Sequence, residues 1–313
     1  DNAVYLLQDW GLQVRIGKYT FEQDNHFAGT DAQRALDFQE ALDDPSIKAI
    51  WCARGGYGTV RMIDKVNFTR FEKNPKWIIG FSDVTVLHNE IHNLGRESIH
   101  AMMPSTLDLE NEEQKKAVKS LKKALFGEKV TYKTRKSDFN KKGEGKGQLV
   151  GGNLSILYSL LGSKSSIKTD GKILFIEDVG EYVYHIDRMM QNLRRNGYFK
   201  NCEGLIVGGI TNIRENDTDF GKAVEQVILD AVADYDFPVA FNFPAGHQKD
   251  NRTLIVGREV ALKVRGKKAI IEFSESYRSK KKTSQLSRSS QDNTPVKGKS
   301  FEGKINLGPG IKG

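Results

Sequence analysis

Ser82 is the residue of this chain best placed for nucleophilic chemistry. It stands in Gly80-Phe81-Ser82-Asp83-Val84-Thr85, after the apolar run Trp77–Phe81 and before the helical spacing of Asp83–Leu94. A sharp turn there would expose the hydroxyl and aim the first free helix amides at an oxyanion beside it. The last glycine of G-x-S-x-G is absent, however, and a serine before a helix is also an ordinary N-cap. Arg54-Gly55-Gly56-Tyr57-Gly58 follows a second apolar run. Its glycines permit close backbone approach and positive φ, which suits an amide cradle for an anion and equally a structural tight turn. It is neither a Walker A loop nor a dinucleotide G-x-G-x-x-G. Glu177 and Asp178 end the run Lys172–Ile176, and His247 follows Val239–Asn242 within Pro244-Ala245-Gly246-His247-Gln248. A carboxylate at such a point orients a histidine or simply caps a turn. Ser82, Glu177 and His247 together permit a triad, in which a neutral serine needs a base and the base needs its other nitrogen held. His88 and His92 are spaced to share a helix face, but their order is not H-E-x-x-H and no third metal ligand is evident. His26, His100 and His185 read as surface or packing residues.

Stepping strands must carry these groups. Ala3–Trp10 has amphipathic helical spacing, Leu12–Ile16 reads as a short strand, and Asp31–Asp43 as a helix. Ile47–Ala53 is a continuous apolar run, the pattern of a parallel strand buried on both faces. With Trp77–Phe81 and Asp83–Leu94, this alternation predicts an α/β fold with an open, mostly parallel, doubly wound amino-terminal sheet. In such sheets ligands bind at the carboxyl ends of strands, where Arg54–Gly58 and Ser82 fall. Residues 1–127 are assigned to this domain. The polar, basic, glycine-rich stretch 128–147 reads as a linker. Residues 148–273 read as a second, mixed β/α domain with strands at Gln148–Val150, Lys172–Ile176, Gly204–Gly208 and Val239–Asn242. Three closing strands follow at Leu254–Val256, Val260–Val264 and Ala269–Phe273.

With 313 residues, the chain is long enough for about two domains. Its 38% hydrophobic content fits a folded body, and no apolar run reaches the ~20 residues of a transmembrane helix. Of the net charge of +8, six units lie in 274–313, where nine Lys/Arg meet three acids. The near-neutral body argues against nucleic acid as a partner. The Ser/Lys/Gly-rich tail is expected to be disordered. Cys52 and Cys202 form no disulfide framework and read as buried thiols. Asp1 opens the chain and helical spacing begins at once, which a processed start or a missing segment would explain.

Five motifs resemble one family in the right order: Ala53–Gly58, Ile79–Thr85, Gly151-Gly152-Asn153-Leu154, Glu177-Asp178-Val179-Gly180-Glu181 and Gly246-His247. The chain is thereby similar to the LD-carboxypeptidases, or muramoyltetrapeptide carboxypeptidases, which share a family with the microcin C immunity peptidases. The resemblance implies a cytoplasmic serine hydrolase of peptidoglycan recycling that needs no cofactor or metal, with a homodimer as its implied assembly. It implies Ser82 as nucleophile, His247 as general base, Glu177 as the group orienting His247, and the amides of Asp83 and Gly56 as oxyanion donors. The implied substrate is a murein tetrapeptide that loses its terminal D-Ala. Arg54, Gly55 and Asn153 are assigned to substrate binding, with Arg54 as reader of the terminal carboxylate. Two rival readings are a self-immunity peptidase acting on a peptidyl nucleotide, for which Tyr182 and Tyr184 offer stacking surfaces, and an inactive remnant with a polyanion-binding tail. The family pattern also has a strand ahead of the first helix that this chain does not show, and it has no counterpart to 274–313.

Overall fold

The computed structural model describes residues 1–275 and 304–308. Two sheets organise them. The first draws on α1 (Asn2–Asp9), β1 (Gln13–Ile16), α2 (Asp31–Asp43), β2 (Ile47–Cys52), α3 (Thr59–Met62), α4 (Thr69–Lys73), β3 (Trp77–Gly80), α5 (Thr85–Asn93) and β4 (Ser98–His100). Helix α2 starts where Thr30 and Gln33 form a reciprocal capping box, which satisfies two amides the helix itself leaves unpaired. Helix α6 (Glu112–Leu125) then leads to β5 (Thr131–Lys133) and β6 (Gly143–Asn153), the first strands of the second sheet. That sheet continues through α7 (Leu154–Ser159), β7 (Lys172–Val179), α8 (Val183–Arg195), β8 (Gly204–Thr211), α9 (Val224–Ala231) and β9 (Val239–Ala240). The chain ends with β10 (Leu254–Val256), β11 (Glu259–Arg265), β12 (Lys268–Phe273) and β13 (Lys304–Gly308).

The first sheet has the order β1-β13-β2-β3-β4-β10 and is parallel except for β10, which runs antiparallel to β4. The second has the order β5-β12-β11-β6-β7-β8-β9, parallel from β6 to β9 and antiparallel from β5 to β6. The predicted α/β class and mostly parallel first sheet are what the structure has. One buried apolar cluster joins the two sheets, with Ile79 and Ile99 from the first meeting Leu149, Ile173, Phe175 and Ile206 from the second. The carboxyl ends of β3 and β7 are thereby brought together.

Three sequence expectations change. Residues 128–147, read as a linker, contain β5 and the first half of β6. Their glycines are there for close backbone passage: a Cβ at Gly145 would overlap the Glu203 carbonyl oxygen, and one at Gly147 the Gly171 carbonyl oxygen. Leu254–Val256 does not close the second sheet with its neighbours but adds to β4 of the first. The tail, expected to be disordered throughout, contributes Lys304–Gly308 as a strand between β1 and β2; residues 276–303 and 309–313 lie outside the described residues. Ile305 is fully buried in the core, which supplies the burial that Ser/Lys-rich composition hid. Cys52 and Cys202 are buried free thiols, as expected. No helix among the described residues is long and apolar enough to cross a membrane.

Candidate active site

Strand β3 ends at Gly80, and the chain turns sharply before α5. Ser82 occupies the turn with φ of 63°, a left-handed conformation that a side-chain-bearing residue adopts only when its surroundings enforce it. His88 supplies part of that enforcement from the next helical turn. Its Nε2 lies 2.9 Å from the Gly80 carbonyl and its Nδ1 2.8 Å from the Ser98 hydroxyl. Burial pushes its pKa down to about 4, so the ring is neutral. Since a carbonyl only accepts, the proton sits on Nε2, and Nδ1 accepts from Ser98. Thus His88 is committed to the elbow, and the metal reading of His88 with His92 has no geometric support among the described residues.

From the second sheet, β7 delivers Glu177 fully buried, and the loop after β9 delivers His247. The His247 Nε2 stands 3.1 Å from the Ser82 Oγ, and its Nδ1 stands 2.7 Å from the Glu177 Oε2. The His247 backbone N–H donates to the same carboxylate oxygen at 3.3 Å. A carboxylate facing Nδ1 fixes the proton there, which leaves the Nε2 lone pair for the serine hydroxyl. Gly246 makes this approach possible: at φ of 103°, a Cβ there would lie 2.7 Å from Glu177 Oε2. Phe81 packs on the imidazole with ring centroids 4.9 Å apart, and His100 lies beneath Phe81 against Phe175. Burial alone would lower the His247 pKa, but the hydrogen bond and charge of Glu177, with the charge of Asp178, outweigh it and leave the pKa above its ordinary value.

The glycine loop after β2 lies against the nucleophile. A Cβ on Gly55 would come 3.1 Å from the Ser82 Cβ and 3.3 Å from its Oγ, so only glycine fits there without displacing something. Gly56, exposed and at φ of 86°, follows at the mouth of the site. Asp83 is the second residue of the helical turn that Ser82 opens, where amides lack intrahelical partners. Its side chain does something spacing did not suggest: Oδ2 accepts the Thr59 N–H at 2.8 Å and ties the glycine loop to the elbow. Burial raises the Asp83 pKa, against the opposing pull of hydrogen bonds from the Thr59 hydroxyl and amide. Arg54 is half-buried at the start of the same loop.

Asn153 is placed differently from its sequence assignment. It is buried rather than turned to substrate, and its Oδ1 accepts the Ile156 N–H and the Ser155 hydroxyl at the start of α7. Its Nδ2 donates to Glu177 Oε1 at 3.2 Å and to Asp178 Oδ1 at 3.1 Å. Asn153 therefore holds the two carboxylates instead of reading a ligand. Asp178 also accepts the amides of Ser155 and Val179; burial first, and the Glu177 charge second, push its pKa up to about 6. The roles of His88 and of the Asp83 carboxylate were missed because each depends on contacts between segments, whereas His100 is the packing residue it was read as. Only the 2.0–4.0 residue spacings are visible along a chain.

Tyr182 and Tyr184 stack on each other with centroids 5.5 Å apart, and Arg214 and Arg188 lie over their rings. Their faces already have partners, which gives a nucleobase-stacking role no advantage.

Comparison with known proteins identifies the family. Residues 1–101 match the LD-carboxypeptidase N-terminal domain and residues 146–262 the LD-carboxypeptidase C-terminal domain. A probable murein peptide carboxypeptidase of Bacillus subtilis (strain 168) is 36% identical over 276 residues, covering 87% of this chain and 86% of the relative. The murein tetrapeptide carboxypeptidase of Pseudomonas aeruginosa is 28% identical, covering 82% and 85%. The crystal structure of muramoyltetrapeptide carboxypeptidase from Oxalobacter formigenes superposes with a TM-score of 0.80 at 26% identity, over 87% of this chain and 92% of that one. The microcin C7 self immunity protein MccF shares the fold, with a TM-score of 0.77 at 23% identity over 88% and 90%. On the family match and the extent of the 36% identity, the chain belongs to the LD-carboxypeptidase family.

Proposed function

We propose that this protein is a serine LD-carboxypeptidase that removes the terminal D-Ala from murein tetrapeptides through a Ser82–His247–Glu177 triad. The observation that carries the reading is the unbroken hydrogen-bonded line from Ser82 Oγ through His247 to a fully buried Glu177. In the acylation step, Ser82 Oγ bonds to the carbonyl carbon of the diamino acid while its proton passes to His247 Nε2. The carbonyl oxygen becomes an oxyanion beside the Asp83 and Gly56 amides, and Glu177 stabilises the imidazolium. Collapse breaks the peptide C–N bond; the proton on Nε2 goes to the departing amine, and D-Ala leaves. Water then repeats the sequence on the ester, giving the tripeptide acid and restoring Ser82. A carboxypeptidase must read the free terminal carboxylate, and Arg54, beside the glycine loop, is assigned that contact.

The test is D-Ala release from L-Ala-γ-D-Glu-meso-diaminopimelyl-D-Ala, followed by mass spectrometry with and without chelator. Release that persists in chelator supports the reading. A well-folded protein that releases no D-Ala contradicts it.

A further inference from the structure

The sheet that carries Ser82 contains a strand drawn from far along the chain. β13 lies between β1 and β2 and runs parallel to both. Gln13–Ile16 pair with residues 304–307, and Ile47–Cys52 pair with 304–308 across one register shift. Ile305 enters the core beside Leu12, Trp51 and Ile79. Asn306 points to the other face, equally buried, with both its amide oxygen and nitrogen lacking hydrogen-bond partners among the described residues. Among those residues β1 has no other strand neighbour, and β2 continues directly into Arg54–Gly58.

We propose that the slot between β1 and β2 is a strand-binding site, filled by this chain's own Lys304–Gly308, whose occupancy holds the glycine loop in register with Ser82. Only the last clause rests on the hydrolase reading above. A parallel strand seated there satisfies main-chain donors and acceptors on both flanks. Among the described residues it is the strand that pairs with the facing edges of β1 and β2. The occupant is the chain's own segment because 28 residues separate Glu275 from Lys304. Extended, they reach roughly 90 Å at ~3.3 Å each. That far exceeds the ~20 Å radius of gyration expected for a chain of this length. Tethering also gives the segment an effective concentration that a second copy at micromolar protein does not match. The unpaired Asn306 amide is a burial cost that an apolar residue would avoid, so the strand is held less tightly than the slot allows. That combination, a fitted slot with a suboptimal occupant, makes the strand exchangeable.

The test uses the full chain with a site-specific protease sequence inserted between residues 276 and 303. After cleavage, a fluorescent synthetic peptide of residues 300–313 is titrated in, and peptide uptake, thermal stability and D-Ala release are recorded. The proposal expects saturable uptake, at least tenfold tighter binding by the Asn306→Val peptide, and none by Ile305→Lys. Removing the cleaved fragment should lower the melting temperature and cut hydrolysis at least tenfold, with peptide restoring both. Should the cleaved protein aggregate, Ile305→Lys in the intact chain should lower its melting temperature. Uptake that ignores the Ile305→Lys change, or melting unaffected by fragment removal or by Ile305→Lys, overturns the proposal. An intact protein of twice the monomer mass that becomes monomeric on deleting 304–313 overturns the assignment to the chain's own strand. Uptake and melting do not depend on substrate, so peptide binding without D-Ala release counts against the hydrolase reading and not against the strand site.

Discussion

Replacing Glu177 with glutamine keeps the side chain's size and exposes what its charge does. The carboxylate accepts on both oxygens: Oε2 from His247 Nδ1 and the His247 backbone N–H, Oε1 from Asn153 Nδ2. Asn153 cannot flip to accommodate an amide, because its Oδ1 is already taken by Ile156 N–H and the Ser155 hydroxyl. Glutamine then has two orientations and neither is free. With its NH2 toward His247, the imidazole must carry its proton on Nε2, the wrong nitrogen for a base facing Ser82. With its NH2 toward Asn153, two donors meet in a buried space at a cost of ~1–3 kcal/mol, and the imidazolium of the transition state has lost its anion. We expect kcat/KM for D-Ala release to fall about 10³–10⁴-fold, or roughly 4–5.5 kcal/mol at 1.36 kcal/mol per tenfold. The pH profile adds a readout with a definite sign. His247 must be neutral to act as base, so wild-type activity is lost as pH falls through its pKa, which lies above the ordinary 6.5. Burial favours a lower pKa, and the interactions that raise it come from Glu177 and then Asp178. The acid limb of Glu177→Gln should therefore move to lower pH. A variant that keeps more than a tenth of wild-type kcat/KM with an unmoved acid limb would refute this account of Glu177.

Other substitutions separate the remaining roles. Gly55→Ala puts a methyl group 3.1 Å from the Ser82 Cβ and 3.2 Å from the Met103 Cε, and a displacement of the nucleophile should lower kcat about 10²-fold with melting nearly unchanged. Asp83→Asn retains an acceptor for the Thr59 N–H and should stay within about fivefold of wild type, whereas Asp83→Ala loses that tie and should fall about 10²-fold. Equal losses in both would mean that the carboxylate charge matters and the tether does not. Arg54→Ala should raise KM steeply for the tetrapeptide while kcat changes little; unchanged steady-state kinetics would remove Arg54 from carboxylate recognition.

How much of this was legible along the chain depends on the range of the interaction that decides each element. Ile47–Cys52 and Trp77–Gly80 were readable because strands buried on both faces are apolar at nearly every position, the exposed Lys48 being the exception in the first. Ser82, Glu177 and His247 were readable as residues at strand ends that permit a triad. Their roles came from the family resemblance, because the rule that ligands gather at carboxyl edges acts within one sheet and these residues come from two. The first half of β6 was not readable, because its glycines answer to the carbonyls of Glu203 and Gly171, both distant in sequence, whereas Gln148–Val150 later in the same strand was. Asn153 looked like a ligand contact because it stands in a glycine motif at a strand end. Its helix-capping bonds and its grip on Glu177 and Asp178 appear only once α7 and β7 are side by side. β13 was the least visible. Five residues within a polar tail form a strand because β1 and β2 present ladders on either side, and nothing in its own composition announces them.

The central claim is that Ser82 is the nucleophile, and the most direct measurement compares D-Ala release by the wild type and Ser82→Ala at matched folding. The account predicts that kcat/KM falls by about 10⁴-fold or more, with melting temperature unchanged. Ser82→Ala that retains a hundredth or more of the wild-type rate would contradict it.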